Sequence, residues 1–440
     1  MSTPHQTVSR RGFLTRASLL AAAAAVPVTM PSGRLRAGGQ PAANDRVHIG
    51  CIGAGRRAKD LREALPKNAR IVAIADCNLP AAEAAAAQHQ CRAYRDYRQI
   101  LESNEIDAVV IATPDHWHTL PAIAACQAGK DVYLEKPMTL TIREGRQLVN
   151  AVRKYRRVFQ TGSQQRSIAL NRLGCELVRN GAIGRIQLVI AANYESPWQC
   201  ALPAQPIPAG LDWDTWCGQT EVVPYNRDIQ IPRANPGWIS FRPWSGGEMT
   251  GWGSHGFDQI QWALGTDDTG PVEIWTEGAP FQPPTYTQTG SIADGNKLCG
   301  RPHVRFRYAN GVVVQLEDDG KRGGGKFIGD QGTITIDRNY LQSDPPEIVA
   351  EALKSGDFRT PHDTGAHLAD WIACIQSRDM PRADVEIGHR STTVCHLGNI
   401  ARWIGRRLHW DPSREQFVGD DEANALVWRP QRQGFEIPDV

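Results

Sequence analysis

Arg46-Val47-His48-Ile49-Gly50-Cys51-Ile52-Gly53-Ala54-Gly55-Arg56-Arg57-Ala58 is the stretch on which the reading of the fold turns. An apolar run short enough for one buried strand passes directly into G-x-G-x-x-A, and an Ala/Leu-rich helical pattern follows. Glycines in that setting do distinct work. Gly53 permits the tight turn, Gly55 lets main-chain N–H groups approach a pyrophosphate at the helix start, where Arg56 also sits, and the small Ala58 lets the helix pack on the strand. A second apolar run, Arg70–Ala75, ends at Asp76, about twenty residues on, where a carboxylate accepts hydrogen bonds from ribose hydroxyls. Cys77 and Asn78 follow it rather than an arginine, which favours NAD, with NADP the alternative.

Working outward, strand and helix patterns alternate as a doubly wound parallel sheet requires. Helix Ala81–His89, a short run at Ala93–Tyr94, helix Arg98–Ser103, strand Asp107–Ala112, helix Leu120–Ala128, strand Asp131–Leu134, helix Ile142–Tyr155 and strand Arg157–Thr161 complete a first domain over 44–165. In such sheets ligands bind beyond the carboxyl ends of the strands. That rule selects the cofactor-side residues Thr113, Pro114, His116 and His118 after one strand, and Glu135 with Lys136 after the next. Lys136 is the first catalytic candidate. Gln165 and Arg166, in the polar turn that closes the domain, are expected at the substrate. His116 and His118 lack a third ligand at credible spacing, so no metal is expected.

From residue 166 the chain changes character. Arg185–Tyr194 alternates like a half-buried strand, and some fifty residues rich in Pro, Gly and Trp follow. Seven of the thirteen tryptophans (Trp198, Trp213, Trp216, Trp238, Trp244, Trp252 and Trp262) lie in this part. Indole faces suit the C–H faces of sugar rings or else pin a long loop to the core; the clustering tilts the set toward ligand. His255, near the start of a helix running to Leu264, is the best base, because imidazole titrates near neutral pH. Trp252 and Asp258 flank it as substrate-side candidates. Strands at Val272–Thr276, Val304–Tyr308, Val312–Glu317 and Thr333–Ile336, with helices Thr364–Ser377 and Val385–Leu408, describe an α+β domain over 166–410 with a large, mainly antiparallel open sheet. A polar tail, 411–440, is expected to wrap the surface.

Composition narrows the partners. The 440 residues can fill two cores, and 49 basic against 47 acidic side chains leave a formal charge of +2 with no basic stripe, so nucleic acid is not expected. The ten cysteines show no C-x-x-C pair; pairing among Cys200, Cys217 and Cys299 stays open. At the N-terminus, Ser9-Arg10-Arg11-Gly12-Phe13-Leu14 precedes an apolar, alanine-rich run to Met30, the layout of a twin-arginine signal within a segment spanning 1–43. The run is too short for a confident membrane span, so no stable anchor is expected after cleavage. The expected location is the periplasm or another extracytoplasmic space, where a nicotinamide enzyme has to hold its cofactor tightly.

The G-x-G run, Asp76, Thr113-Pro114-Asp115-His116-Trp117-His118, Glu135-Lys136-Pro137 and the Gly-Gly…His255…Asp258 helix together resemble the Gfo/Idh/MocA oxidoreductases. The resemblance covers about 46–411. It implies a Rossmann domain, a C-terminal sheet that makes homodimer or homotetramer contacts, and a cis peptide before Pro137. It further implies a small sugar or polyol as substrate, oxidised by hydride transfer with Lys136 as electrostatic partner and His255 as base. Many members carry Asp one helical turn before the histidine. Here that place is Gly251, leaving Glu248 and Asp258 as carboxylates that could stand in. A redox-neutral NAD-dependent glycosidase, working by transient C3 oxidation and elimination, and a non-catalytic dinucleotide-bound sugar-binding protein remain the alternatives.

Overall fold

Six parallel strands form the first sheet: β1 (Val47–Ile52), β2 (Ala69–Ala75), β3 (Arg92–Tyr94), β4 (Ala108–Ile111), β5 (Asp131–Leu134) and β6 (Phe159–Thr161). Their spatial order is β3-β2-β1-β4-β5-β6. The computed structural model describes residues 46–440 apart from 232–236, 279–280, 282, 284, 289–300, 355, 357 and 359–363. The twin-arginine segment and Cys299 lie outside the described residues. Strands β4 and β5 are buried at every position, because helices cover both faces of a parallel sheet. The strand order reverses between β1 and β4, and a crevice opens beyond their carboxyl ends at that point.

Two short strands, β8 (Gln199–Cys200) and β10 (Thr285–Tyr286), pair with each other, and among the described residues the second large sheet has nine strands: β7 (Ile186–Ala192), β9 (Glu273–Glu277), β11 (His303–Arg307), β12 (Val313–Glu317), β13 (Gly325–Gly329), β14 (Thr333–Asp337), β15 (Tyr340–Asp344), β16 (Leu408–Asp411) and β17 (Gln416–Phe417). They run in the order β15-β14-β13-β7-β12-β11-β9-β16-β17. Within this large sheet only the β7–β12 pairing is parallel. Strands β11, β12 and β14 bury alternate residues, so one face packs on the core and the other stays open. The buried face packs under helices Gly253–Leu264 and Val385–Ile404, with Phe257, Ile260, Val394 and Leu397 in one apolar cluster with Phe306 and Phe327.

Some expectations need correcting here. The last long helix stops at Ile404, where Gly405 adopts φ 73° and caps it, not at Leu408, which starts β16. Strands β13 and β15 escaped the sequence reading because one begins inside a glycine run and the other is a polar sheet edge. The tail is more than a surface wrap: Ile437 is buried against the core of the first sheet. The tryptophans also read differently. Trp198, Trp213, Trp216 and Trp244 are buried in one cluster with Phe241 and Tyr225, which is the private core of the long insertion. A fifty-residue irregular segment needs its own apolar centre to be ordered at all, and indoles supply it. The nine cysteines among the described residues are free thiols, Cys200 and Cys217 included. No helix among the described residues is long and apolar enough to cross a membrane.

Candidate active site

Two adjoining cavities occupy the crevice, sharing Arg56, Arg57, Thr113 and Trp238 on their walls. The first, about 420 Å³, is lined by Gly53, Gly55, Asp76, Tyr97 and Trp117 among others. Gly53 has φ +103°, and a Cβ there would stand 2.5 Å from the Ala112 carbonyl oxygen, so no other residue fits the turn. At Gly55 a Cβ would meet nothing within 4 Å. That empty position lies at the N-terminus of helix Arg56–Ala64, where main-chain N–H groups favour an anion. Ala58 is buried beneath the helix start, consistent with close helix–strand packing. Asp76, at the end of β2, accepts from the Ala54 N–H at 2.7 Å and the Asn78 N–H at 2.8 Å. Burial pushes its carboxyl above the usual range against those two bonds. A diphosphate flanked by a ribose fits this donor set.

The second cavity, about 320 Å³, is lined by Lys136, His118, His255, Trp252, Asp115 and Arg338 among others. Each comes from an element end. Glu135 and Lys136 follow β5; the peptide between Lys136 and Pro137 is cis, as the X-Pro bond permits. Lys136 Nζ donates to the Gly251 carbonyl oxygen at 3.1 Å. Glu135 accepts from Arg57 Nε at 2.7 Å and from Gln164 Nε2 at 2.9 Å. Burial alone would raise its carboxyl, but the charges of Arg57 and Lys136 hold it below the usual range. It therefore stays ionised beside Lys136.

His118 places Nδ1 2.6 Å from the Pro137 carbonyl oxygen and Nε2 3.1 Å from that of Thr113. Burial lowers its pKa and keeps the ring neutral, so it donates to one of these carbonyls at a time. It ties the loop after β4 to the loop after β5. His255 sits in the first turn of helix Gly253–Leu264, whose Phe257 and Ile260 face the core. Its ring meets that of Trp252 edge-on at 5.8 Å. On Trp252 the Arg338 guanidinium lies 4.7 Å from the ring centroid, a cation–π contact.

Four sequence expectations are revised. Gln165, Arg166 and Asp258 are not on the cavity walls. Arg166 Nε donates to both Asp258 carboxylate oxygens, at 3.0 and 2.9 Å, and its other nitrogens reach Asp267. Ser391 donates to Asp258 as well, and Gln165 donates to the Gly323 carbonyl at 2.6 Å. These buried groups lock one another and brace the floor below the cavity. His116 is fully buried, its Nε2 2.7 Å from the Trp216 carbonyl oxygen, and burial lowers its pKa to about 3. It anchors the insertion. Of the two carboxylates considered beside His255, Asp258 is paired with Arg166, and Glu248 lies 3.9 Å from Arg322.

Sequence reading missed several wall residues. Arg57 and Asp115 lay inside motifs already quoted, the latter accepting from Ser245 Oγ at 2.6 Å. Arg338 and Phe435 carried no signal, because long-range folding alone brings them to the crevice, whereas Trp238, on the walls of both cavities, belonged to the tryptophan set already singled out. The insertion crosses the open side of the first cavity: Asp212 N–H donates to the Cys77 carbonyl at 3.0 Å, and Trp117 Nε1 to the Thr215 carbonyl at 2.9 Å.

Residues 47–163 match a family model described as an oxidoreductase family, NAD-binding Rossmann fold, and residues 175–437 match its C-terminal alpha/beta domain. The levoglucosan dehydrogenase of Pseudarthrobacter phenanthrenivorans is 27% identical over 288 residues, covering 62% of this chain and 66% of that protein. The rhizopine catabolism protein MocA of Rhizobium meliloti is 26% identical over 356 residues, 77% of this chain and 98% of that one. In fold, the chain resembles the WlbA dehydrogenase of Bordetella pertussis, solved with NADH and UDP-GlcNAcA. The TM-score is 0.59 at 20% identity, covering 83% of this chain and 99% of that one.

Proposed function

The chain belongs to the Gfo/Idh/MocA oxidoreductase family, and from that premise we propose that it oxidises a hydroxyl of a sugar or polyol, using an NAD that it holds tightly. The observation that carries this reading is the second cavity, where Lys136 and His255 line the same wall system that adjoins the nucleotide groove. NAD, when bound, supplies the hydride acceptor. Lys136, fixed by the Gly251 carbonyl beside ionised Glu135, stabilises negative charge developing on the carbinol oxygen. His255 takes the hydroxyl proton. Trp252 offers an apolar face to the sugar ring, held in place by Arg338.

Tight retention is supported by the insertion, whose Asp212 and Trp216 help to close the nucleotide cavity. It also agrees with export through the twin-arginine motif at Arg10-Arg11, proposed here as the route to an extracytoplasmic location. Replacing both arginines by lysine and fractionating the cells tests the route. Unchanged export would exclude it. The open face of the nine-stranded sheet, with half-buried Leu188, Ile190, Val313 and Trp275, is proposed as a homodimer or homotetramer contact, checked by sedimentation.

The function is tested on a panel of free sugars, polyols and aryl glycosides. Formation of a keto product with reduction of NAD supports it. Release of an aglycone with no net redox change contradicts it.

A further inference from the structure

We infer that the C-terminal segment 428–440 is itself part of the dinucleotide site, with Phe435 and Trp117 forming an aromatic corner against which the adenine ring rests. This rests on the reading of the first cavity as the NAD groove. Phe435 is on that cavity's wall, although it stands more than 370 residues beyond the glycine turn in sequence. Its ring meets Trp117 at 84° with centroids 5.7 Å apart. Tyr97 meets the same indole edge-on at 6.0 Å. Three aromatic rings thus gather on the wall of the cavity that also holds Asp76, the carboxylate read as the ribose acceptor, and the base of the same adenosine would lie against them. A flat heteroaromatic base gains by packing on such faces, whatever its hydrogen-bonding edge.

The segment is tied down on both sides of the groove. Toward the Rossmann domain, Arg429 Nε donates to Glu144 at 2.6 Å, a fully buried carboxylate, and Gln147 donates to Asp439 at 2.9 Å. Toward the insertion, Arg432 donates to Asp214 at 2.5 Å and to the Gly218 carbonyl at 2.8 Å, and its guanidinium lies 4.4 Å from the Phe435 ring centroid. The tail therefore straps the insertion to the Rossmann domain across the adenosine end, with Phe435 turned to the groove between the anchors.

The test measures dissociation constants of NAD, ADP-ribose and nicotinamide mononucleotide on the full-length protein, comparing wild type with Phe435→Ala, Phe435→Leu and Phe435→Tyr. Phe435→Ala is expected to weaken NAD and ADP-ribose together by ~10-fold or more, leave the mononucleotide unchanged, and be rescued by Phe435→Tyr. Where the alanine variant does not fold, as judged by circular dichroism, Phe435→Leu decides in the same way. Wild-type affinity for ADP-ribose in a folded variant, or equal weakening of the mononucleotide, would overturn the inference. A wild-type protein that binds no dinucleotide would instead overturn the NAD reading beneath it.

Discussion

The ammonium of Lys136 donates to the main-chain carbonyl of Gly251, 3.1 Å away. A main-chain carbonyl orients the lysine but cannot exchange protons with it. The nearest negative charge in sequence is Glu135, which is itself tied to Arg57. In this reading Lys136 acts as a positive charge held in place by that carbonyl. Lys136→Met is expected to lower kcat by about 10²–10³-fold, the scale of losing one preorganised electrostatic contact, with little change in NAD binding. Steady-state kinetics alongside equilibrium NAD titration checks both parts.

His255 lacks a carboxylate one helical turn earlier, and Asp258 is committed to Arg166 and Ser391. His255 is the proton acceptor in this reading. His255→Asn is expected to lower kcat by about 10²–10⁴-fold and to remove the acid limb of the pH–rate profile. An unchanged acid limb in the variant would assign the proton transfer to another group.

At the other end of the groove, Asp76 Oδ2 accepts from Ala54 N–H and presents its carboxylate to the ribose position. Asp76→Ala is expected to raise the NAD dissociation constant by about 10–100-fold, the range for hydrogen bonds to a charged acceptor. The preference over NADP should collapse at the same time, since a carboxylate repels a 2′-phosphate. Parallel titrations with the two cofactors measure this.

Away from the site, Glu415 is clasped by His389 at 2.7 Å, Arg146 at 2.6 Å and Arg390 at 3.2 Å. Burial alone would raise its carboxyl, but the bonds from His389 and Arg146 bring it from an ordinary 4.5 down to about 2. A depressed carboxyl stabilises the fold above its unfolded pKa, and that contribution is lost as pH falls through the folded one. Glu415→Gln is therefore expected to cost roughly 1–2 kcal/mol at neutral pH, after allowance for screening by water. The gap to wild type should close between about pH 5 and pH 2, which chemical denaturation at several pH values will show.

The sequence made the Rossmann half readable because its signals are local. Gly53, Asp76, Thr113 and Lys136 each end a strand, and the parallel topology sends strand ends to one crevice. The tryptophans misled for the opposite reason: a count in sequence cannot separate a sugar platform from the private core of an insertion, and only Trp238 and Trp252 reach the substrate cavity. Gln165 and Arg166 stood one and two residues past Gln164, which does line it, so the segment was right and the side chains wrong. Arg338 and Phe435 were invisible, since nothing near them in sequence marks a turn or tail that folds back over the site.

The most direct test of the account is the near-ultraviolet absorbance of reduced nicotinamide after purified full-length protein, with its NAD, is mixed with a panel of sugars and polyols. At least one of them is expected to reduce the bound NAD in wild type, while the Lys136→Met variant, carrying equal NAD, shows no comparable reduction on the same timescale. Equal rates in the two proteins, or NAD-loaded protein that no sugar or polyol reduces, would contradict it.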